Sequence, residues 1–346
     1  MGNNCPEETF ANNFTVLRLL AALFVLLSHS YGLLGKNNEE FLLSVTNNQI
    51  SFSHIGLAIF FFLSGFLVTQ SLLFSSGIKH FLWKRLLRIY PALITLILLT
   101  VFMLGPLFTN NSIKSYFHNA QTWQYLIGGV SLIKLRFHLP GVFNENGVNG
   151  SLWSLPIEFR LYLLLTSLYI LGSFKRKLFV PFVVVVAICL LVISSNMLFV
   201  VPKWMEVYVL WGTFFFTGGV AYFFKSKIKL SYFLFLLFVL CWLFFKKNLI
   251  LNTAIEVVVI GYGILLAGYK FSPFKTNFFA HNDYSYSLYI YAYPIQQAVI
   301  YIIGASLLSP LLLFFFTILF VFPLCFFSWN FIEKPCLKKK NISLKN

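Results

Sequence analysis

Ten apolar runs, each about twenty residues long, limit what this chain can fold into. They lie near 14–35, 53–74, 89–108, 152–172, 178–200, 205–224, 230–245, 249–269, 284–304 and 307–332. As a helix, such a run crosses the roughly 30 Å of hydrocarbon in a bilayer. The rest of the composition agrees. Of the 346 residues, 59% are hydrophobic and 10% are charged, where a soluble chain would carry about 25% charged residues. The sequence predicts an all-α polytopic membrane protein, a single domain over 1–346 with about ten transmembrane helices.

The net charge of +16 could suggest a nucleic-acid partner, but its distribution points elsewhere. With the N-terminus inside, eighteen of the 26 Lys and Arg residues fall on the inner side and seven on the outer, with Arg160 inside a span. That asymmetry is the positive-inside signal and predicts that both termini are cytoplasmic. The basic residues then report topology and contact with anionic membrane lipids, not nucleic acid. The five cysteines, Cys5, Cys189, Cys241, Cys325 and Cys336, show neither metal-ligand spacing nor a disulfide framework, so no metal is expected. The first run is too long for the apolar region of a cleaved signal peptide.

Within that first run, Arg18 and His29 are eleven residues apart. They share a helical face about 16 Å apart along the axis. Ionisable groups at such depth cost about 2.5–3.5 kcal/mol if they face lipid, so this face should meet protein or water. Arg18 could equally reach the inner headgroups. Ser64-Gly65 sits among aromatics in the second run, where it suits close helix approach or a chemical role for Ser64. In the loop expected before the third run, Arg85 and Arg88 are i, i+3 neighbours and Lys84 lies one turn before Arg88. Guanidinium groups bind phosphate oxygens in bidentate fashion. A stop-transfer cluster touching headgroups would carry the same charges. Residues 109–151 form the longest polar stretch and are expected outside, with amides and aromatics suited to a sugar. The fourth run begins Trp153-Ser154, with Glu158 and Tyr162 one turn apart on one face. By helix rise Glu158 reaches the depth of His29, which predicts a carboxylate–imidazole pair acting as a base and its orienting partner. Span nine is rich in tyrosine and could line a polar groove, and a basic cytoplasmic tail occupies 333–346.

Six pieces in order resemble acyltransferase family 3, integral-membrane enzymes that O-acylate surface polysaccharides and other extracytoplasmic sugars. They are Arg18 to His29, Phe61 to Phe66, Arg85 to Pro91, Trp153 to Glu158, Ser285 to Ile290 and Ile332 to Pro335. The resemblance implies His29 as the essential histidine, Arg85 and Arg88 as the pair associated with an acyl-CoA donor, and Glu158 as the acid after Trp-Ser-Leu. Two positions depart from the family pattern. Phe159 and Arg160 stand where Glu-Gln is common, and Ala292 stands where a histidine is frequent.

The expected function is acetyl transfer from cytoplasmic acetyl-CoA to a hydroxyl of an extracytoplasmic glycan or lipid-linked saccharide, in a multi-pass protein of the bacterial cytoplasmic membrane. His29 and Glu158 would be catalytic. Arg85, Arg88, Lys84 and Arg18 would hold the donor, and Ser64, Trp153, Ser154 and Tyr162 would contact substrate. A transporter or flippase for a sugar-lipid would also need buried charge and a polar groove, and a non-catalytic partner in envelope assembly is a third reading. The sequence sets no oligomeric state.

Overall fold

A computed structural model describes residues 13–172, 183, 202–245, 249–270 and 282–341. Helices dominate, and no strand forms among the described residues. Nine of these helices are labelled in chain order: α1 (Phe14–Leu33), α2 (Phe52–Leu73), α3 (Ile78–Leu99), α4 (Ser154–Ile170), α5 (Lys203–Phe224), α6 (Tyr232–Phe244), α7 (Leu249–Lys270), α8 (Ser285–Ile303) and α9 (Pro310–Phe327). Among the described residues, five helices are long and apolar enough to cross a membrane: α1, α2, α3 with its extension to Phe108, α5 from Trp204, and α9 with its extension to Lys338. The expected count of ten is therefore met only in part. Helices also occupy the expected spans 152–172, 230–245, 249–269 and 284–304, and 178–200 lies outside the described residues except for Val183. Large apolar side chains on the outer faces of α6 and α9, such as Phe233, Phe244, Leu311 and Phe315, are exposed, as a lipid-facing surface requires.

The centre of the bundle is set by α2, which packs closely on α1 and α5. A Cβ on Gly65 would lie 1.7 Å from Phe215 O, and one on Gly218 would lie 2.1 Å from Phe62 O. Only glycine permits this backbone approach. Ser51 caps α2 by accepting from the His54 N–H at 3.0 Å, which satisfies one of the free donors at a helix start.

Two local structures differ from the sequence reading. The arginine cluster is not a loop before the third span. It lies on the first turns of α3, which passes through Pro91 without ending. Proline removes one backbone bond, but the turn is retained, and Thr95 Oγ1 donates to Pro91 O at 2.9 Å. The polar stretch 109–151 does not remain wholly at the periphery either. Its last residues enter the bundle beside α8: Asn149 Nδ2 donates to Ile290 O at 2.9 Å, and Gln297 Nε2 donates to Gly147 O at 2.6 Å. Tyr289 OH donates to Ser151 O at 2.9 Å. Buried backbone without helical bonds needs such partners, and the polar groups of α8 supply them.

Candidate active site

A cavity of about 380 Å³ opens between α1, α2, α3, α4 and α8. Its polar lining consists of Arg18, Ser64, Arg85, Arg88, Ser154, Glu158, Tyr162, Asp283, Tyr286, Tyr289 and Lys340, with apolar walls from Leu57, Phe60, Phe61 and Ile89. Tyr286 and Tyr289 bear out the expectation that the tyrosines of span nine line a groove.

Charge collects at one end. Asp283, just before α8, takes Arg18 Nη1 at 2.8 Å and Arg88 Nη2 at 2.7 Å on the same oxygen. Burial pushes the Asp283 pKa up, but the two guanidiniums and the Ser285 hydrogen bonds outweigh it and hold the value at about 2. Glu333, following α9, stands 3.8 Å from Arg88. Among the described residues, Arg85 has no such carboxylate. It donates to Ser71 Oγ at 3.2 Å and lies over the Phe81 and Tyr162 rings at 5.8 and 5.9 Å. Its Nε is buried without a hydrogen-bond acceptor. A buried donor left in this state costs roughly 1–3 kcal/mol, and an anion in the cavity would relieve that cost.

Glu158 lies further in. Its Oε1 accepts from Ser64 Oγ at 2.7 Å and from the Tyr162 hydroxyl, one turn along α4. Ser154 Oγ shares a hydrogen bond of 2.7 Å with Tyr289 OH. Seven of the ten expected site residues, Arg18, Ser64, Arg85, Arg88, Ser154, Glu158 and Tyr162, thus line one cavity. The other three do not. Lys84 lies on the far side of Arg88 from Arg85 and donates to Ser75 Oγ at 3.3 Å. Trp153 ends the 3₁₀ turn Gly150–Trp153 and packs on Trp211, with ring centroids 6.4 Å apart.

His29 is the third. Its ring meets Tyr293 edge-on at 5.2 Å, and its nitrogens make no hydrogen bond among the described residues. The expected contact between His29 and Glu158 is not made, and helix register explains why. A Cβ on Gly56 would come within 2.6 Å of Ala21 O, so residue 56 of α2 stands level with Ala21 of α1. The helices run in opposite directions, so His29 lies about 12 Å to one side of that level and Ser64 about 12 Å to the other. The assumption that α4 begins at the outer boundary placed Glu158 too high. Because 147–153 enter the bundle, α4 starts deeper and its carboxylate reaches Ser64.

Three further features were not singled out as site residues from the sequence. Asp283 was marked only by being an acid at the head of a tyrosine-rich helix in a charge-poor chain. Lys340 looked like one of several basic residues in a tail. The third is an imidazole–carboxylate contact at a different place from the expected one, His54 Nε2 to Glu256 Oε1 at 2.5 Å, between α2 and α7, with His54 against the Trp211 ring at 5.3 Å. Among the described residues, no group of three or more His, Cys, Asp or Glu could hold a metal.

A polar cavity inside a bundle of apolar helices suits an integral-membrane enzyme or a carrier. The chain belongs to acyltransferase family 3, whose acyltransferase-domain profile matches residues 12–330. It is therefore an enzyme of acyl transfer, and the transporter alternative gives way. An O-acetyl transferase of Shigella phage Sf6 is 30% identical over 348 aligned positions, covering 96% of this chain and 98% of that protein. Nodulation protein 10 of Rhizobium leguminosarum bv. viciae is 33% identical over 165 residues, covering 45% of this chain and 44% of that protein. An uncharacterized protein of Haemophilus influenzae is 28% identical over 144 residues, covering 40% of this chain and 58% of that protein. No solved structure matches.

Proposed function

We propose that this protein moves an acetyl group from cytoplasmic acetyl-CoA to a hydroxyl of an extracytoplasmic glycan or lipid-linked saccharide, in the bacterial cytoplasmic membrane. The observation carrying this reading is the basic end of the cavity, where the Arg85 Nε is buried and has no hydrogen-bond partner among the described residues. The activity named for the Sf6 phage protein, which matches over nearly its full length, supports O-acetyl transfer.

In this reading the basic end faces the cytoplasm, and Arg85 with Arg88 holds the donor phosphates. Asp283 fixes Arg18 and Arg88 in place. The donor's arm runs along the cavity past Ser64 and Glu158 toward Leu57, which stands near the level of Ala21. Glu158 holds the Ser64 and Tyr162 hydroxyls in a fixed pattern on that path. His29 stands beyond the upper end, its ring nitrogens without a hydrogen-bond partner among the described residues. It takes the proton of the acceptor hydroxyl as the oxygen attacks the thioester carbonyl and the thiolate leaves. General-base assistance of this kind is worth about 10²–10⁴ in rate.

The test uses membranes supplied with radiolabelled acetyl-CoA and scored for label on glycan. Transfer by the wild type and its loss in His29→Ala are expected. Wild-type membranes that never label glycan would overturn the acceptor, and undiminished transfer by His29→Ala would remove the base.

A further inference from the structure

The segment that follows α9, up to Asn341, does not hang free of the bundle. After α9 and its π-helical turn Ser328–Glu333, the segment Lys334–Lys338 forms a short helix, and Lys339–Asn341 a 3₁₀ turn. Both pack against the start of α3. His80 on α3 pins the turn, with Nε2 at 2.8 Å from Lys340 O and Nδ1 at 2.8 Å from Ser76 Oγ. A carbonyl only accepts, so the Nε2 proton is donated to it. Leu337 and Lys340 thereby become part of the cavity wall.

The ammonium of Lys340 has no acidic partner among the described residues. Burial, then Arg88, Arg85 and Arg18 in turn, lower its pKa to about 8. Asp283 and Glu333 already serve Arg18 and Arg88, which leaves Lys340 and Arg85 as the cations of this end without a carboxylate partner. Cations brought together in this way, with one buried N–H unsatisfied, form a site prepared for an anion carrying several charges.

We propose that the C-terminal turn supplies Lys340 as a phosphate ligand, closing with Arg85 a two-sided clamp on the nucleotide phosphates of the acyl donor. This rests on the donor reading above. The arginines approach from α3 within the bundle and the lysine from the tail, so the clamp exists only when the tail is docked.

Binding of radiolabelled CoA, dephospho-CoA and pantetheine to the full-length protein in nanodiscs tests it, with Lys340→Ala and Lys340→Arg beside wild type. Lys340→Ala should weaken CoA binding about tenfold, the size of one charge-assisted contact. Pantetheine, which lacks nucleotide phosphates, should be unaffected, and Lys340→Arg should restore most of the loss. A smaller penalty with dephospho-CoA than with CoA would place the contact on the nucleotide 3′-phosphate, and an equal penalty on the diphosphate. Wild-type affinity for CoA should fall between about pH 7 and 9, and Lys340→Arg should flatten that slope. The titratable and charged groups around Lys340 are Arg18 on α1, His80, Arg85 and Arg88 on α3, Glu158 and Tyr162 on α4, Asp283 before α8, Tyr286 and Tyr289 on α8, and Glu333 after α9. The arginine variant keeps all of them, so a difference in slope belongs to residue 340. If wild type binds no CoA, the donor reading itself fails. If wild type binds CoA and Lys340→Ala binds it equally well, the clamp is wrong and the donor reading stands. Equal weakening of CoA and pantetheine by Lys340→Ala would also overturn the clamp, because it would show a role in tail packing alone.

Discussion

At the scale of single residues, Asp283 joins three elements by taking one guanidinium from α1 and one from α3 at the head of α8. Its removal would leave Arg18 without a carboxylate among the described residues and Arg88 with the longer contact to Glu333, so Asp283→Ala should cost about 3 kcal/mol, read as lost thermal stability in detergent. The same pair predicts an acid limit. The folded pKa of about 2 lies below the unfolded value near 3.9, so the stabilisation is complete above about pH 5 and is lost as pH falls toward 2. Two units correspond to about 2–3 kcal/mol. Melting curves of wild type and Asp283→Asn should therefore draw together as pH falls from about 4 to about 2, and parallel curves would remove Asp283 as the source. Glu158 is a different case. Its carboxylate accepts from two hydroxyls rather than pairing with a cation. Glu158→Gln should keep the fold, because the amide oxygen can still accept from both hydroxyls, and should lower transfer, because that acceptor loses its negative charge.

Among elements, the packing of α2 on α5 holds in place the helix that carries Leu57, Phe60, Phe61 and Ser64 of the cavity wall. Gly65→Ala would drive a methyl into Phe215 O, which is backbone and cannot turn aside. A loss of about 3 kcal/mol or more is expected, beyond ordinary overpacking, visible as failed accumulation of folded protein. Gly77→Ala is the control. Its backbone is extended at φ 171° and no atom lies within 4 Å of a Cβ there, so stability should stay within about 0.5 kcal/mol. The sequence showed Ser64-Gly65 as a packing or a chemical feature. The structure divides the pair, with Gly65 against α5 and Ser64 on Glu158. Helix existence was legible because apolar runs of membrane length have few alternatives. The depth of α4 was not legible, because it depends on the hydrogen-bond partners that α8 offers to residues 147–151. Nor could Lys84 be told from Arg85 by charge alone, since one residue of offset turns a side chain 100° about the axis.

For the molecule as a whole, the asymmetry of basic residues makes a prediction that these contacts sharpen. His80 and Lys340 should lie on the inner side, and Asn110, whose Nδ2 donates to Asn144 Oδ1 at 2.9 Å, on the outer. Single cysteines at 110 and 339 in a background lacking the native cysteines, probed with a membrane-impermeant maleimide, should label from opposite faces. Labelling of 110 from the inside and 339 from the outside would reverse the direction proposed for the donor, and labelling of both from one face would remove the two-sided arrangement. The family was readable because six short pieces recur in order over most of the chain. The tail's contribution was not, because a run of lysines after a last helix reads the same whether it floats or docks.

The inward course of residues 147–153 has an energetic consequence. An isolated charged or strongly polar group faces a barrier that grows with the thickness of low-dielectric material it must cross. From one side the cavity hollows out the bundle as far as Leu57. From the other, Gly147 to Ser151 bring amide and carbonyl dipoles down beside Tyr289 and Tyr293. The insulating layer between the two aqueous faces is thereby thinned locally to a septum. In the reaction proposed above, a thioester and a hydroxyl approaching from opposite compartments would need to meet across a few side chains, while the surrounding bilayer keeps its full thickness.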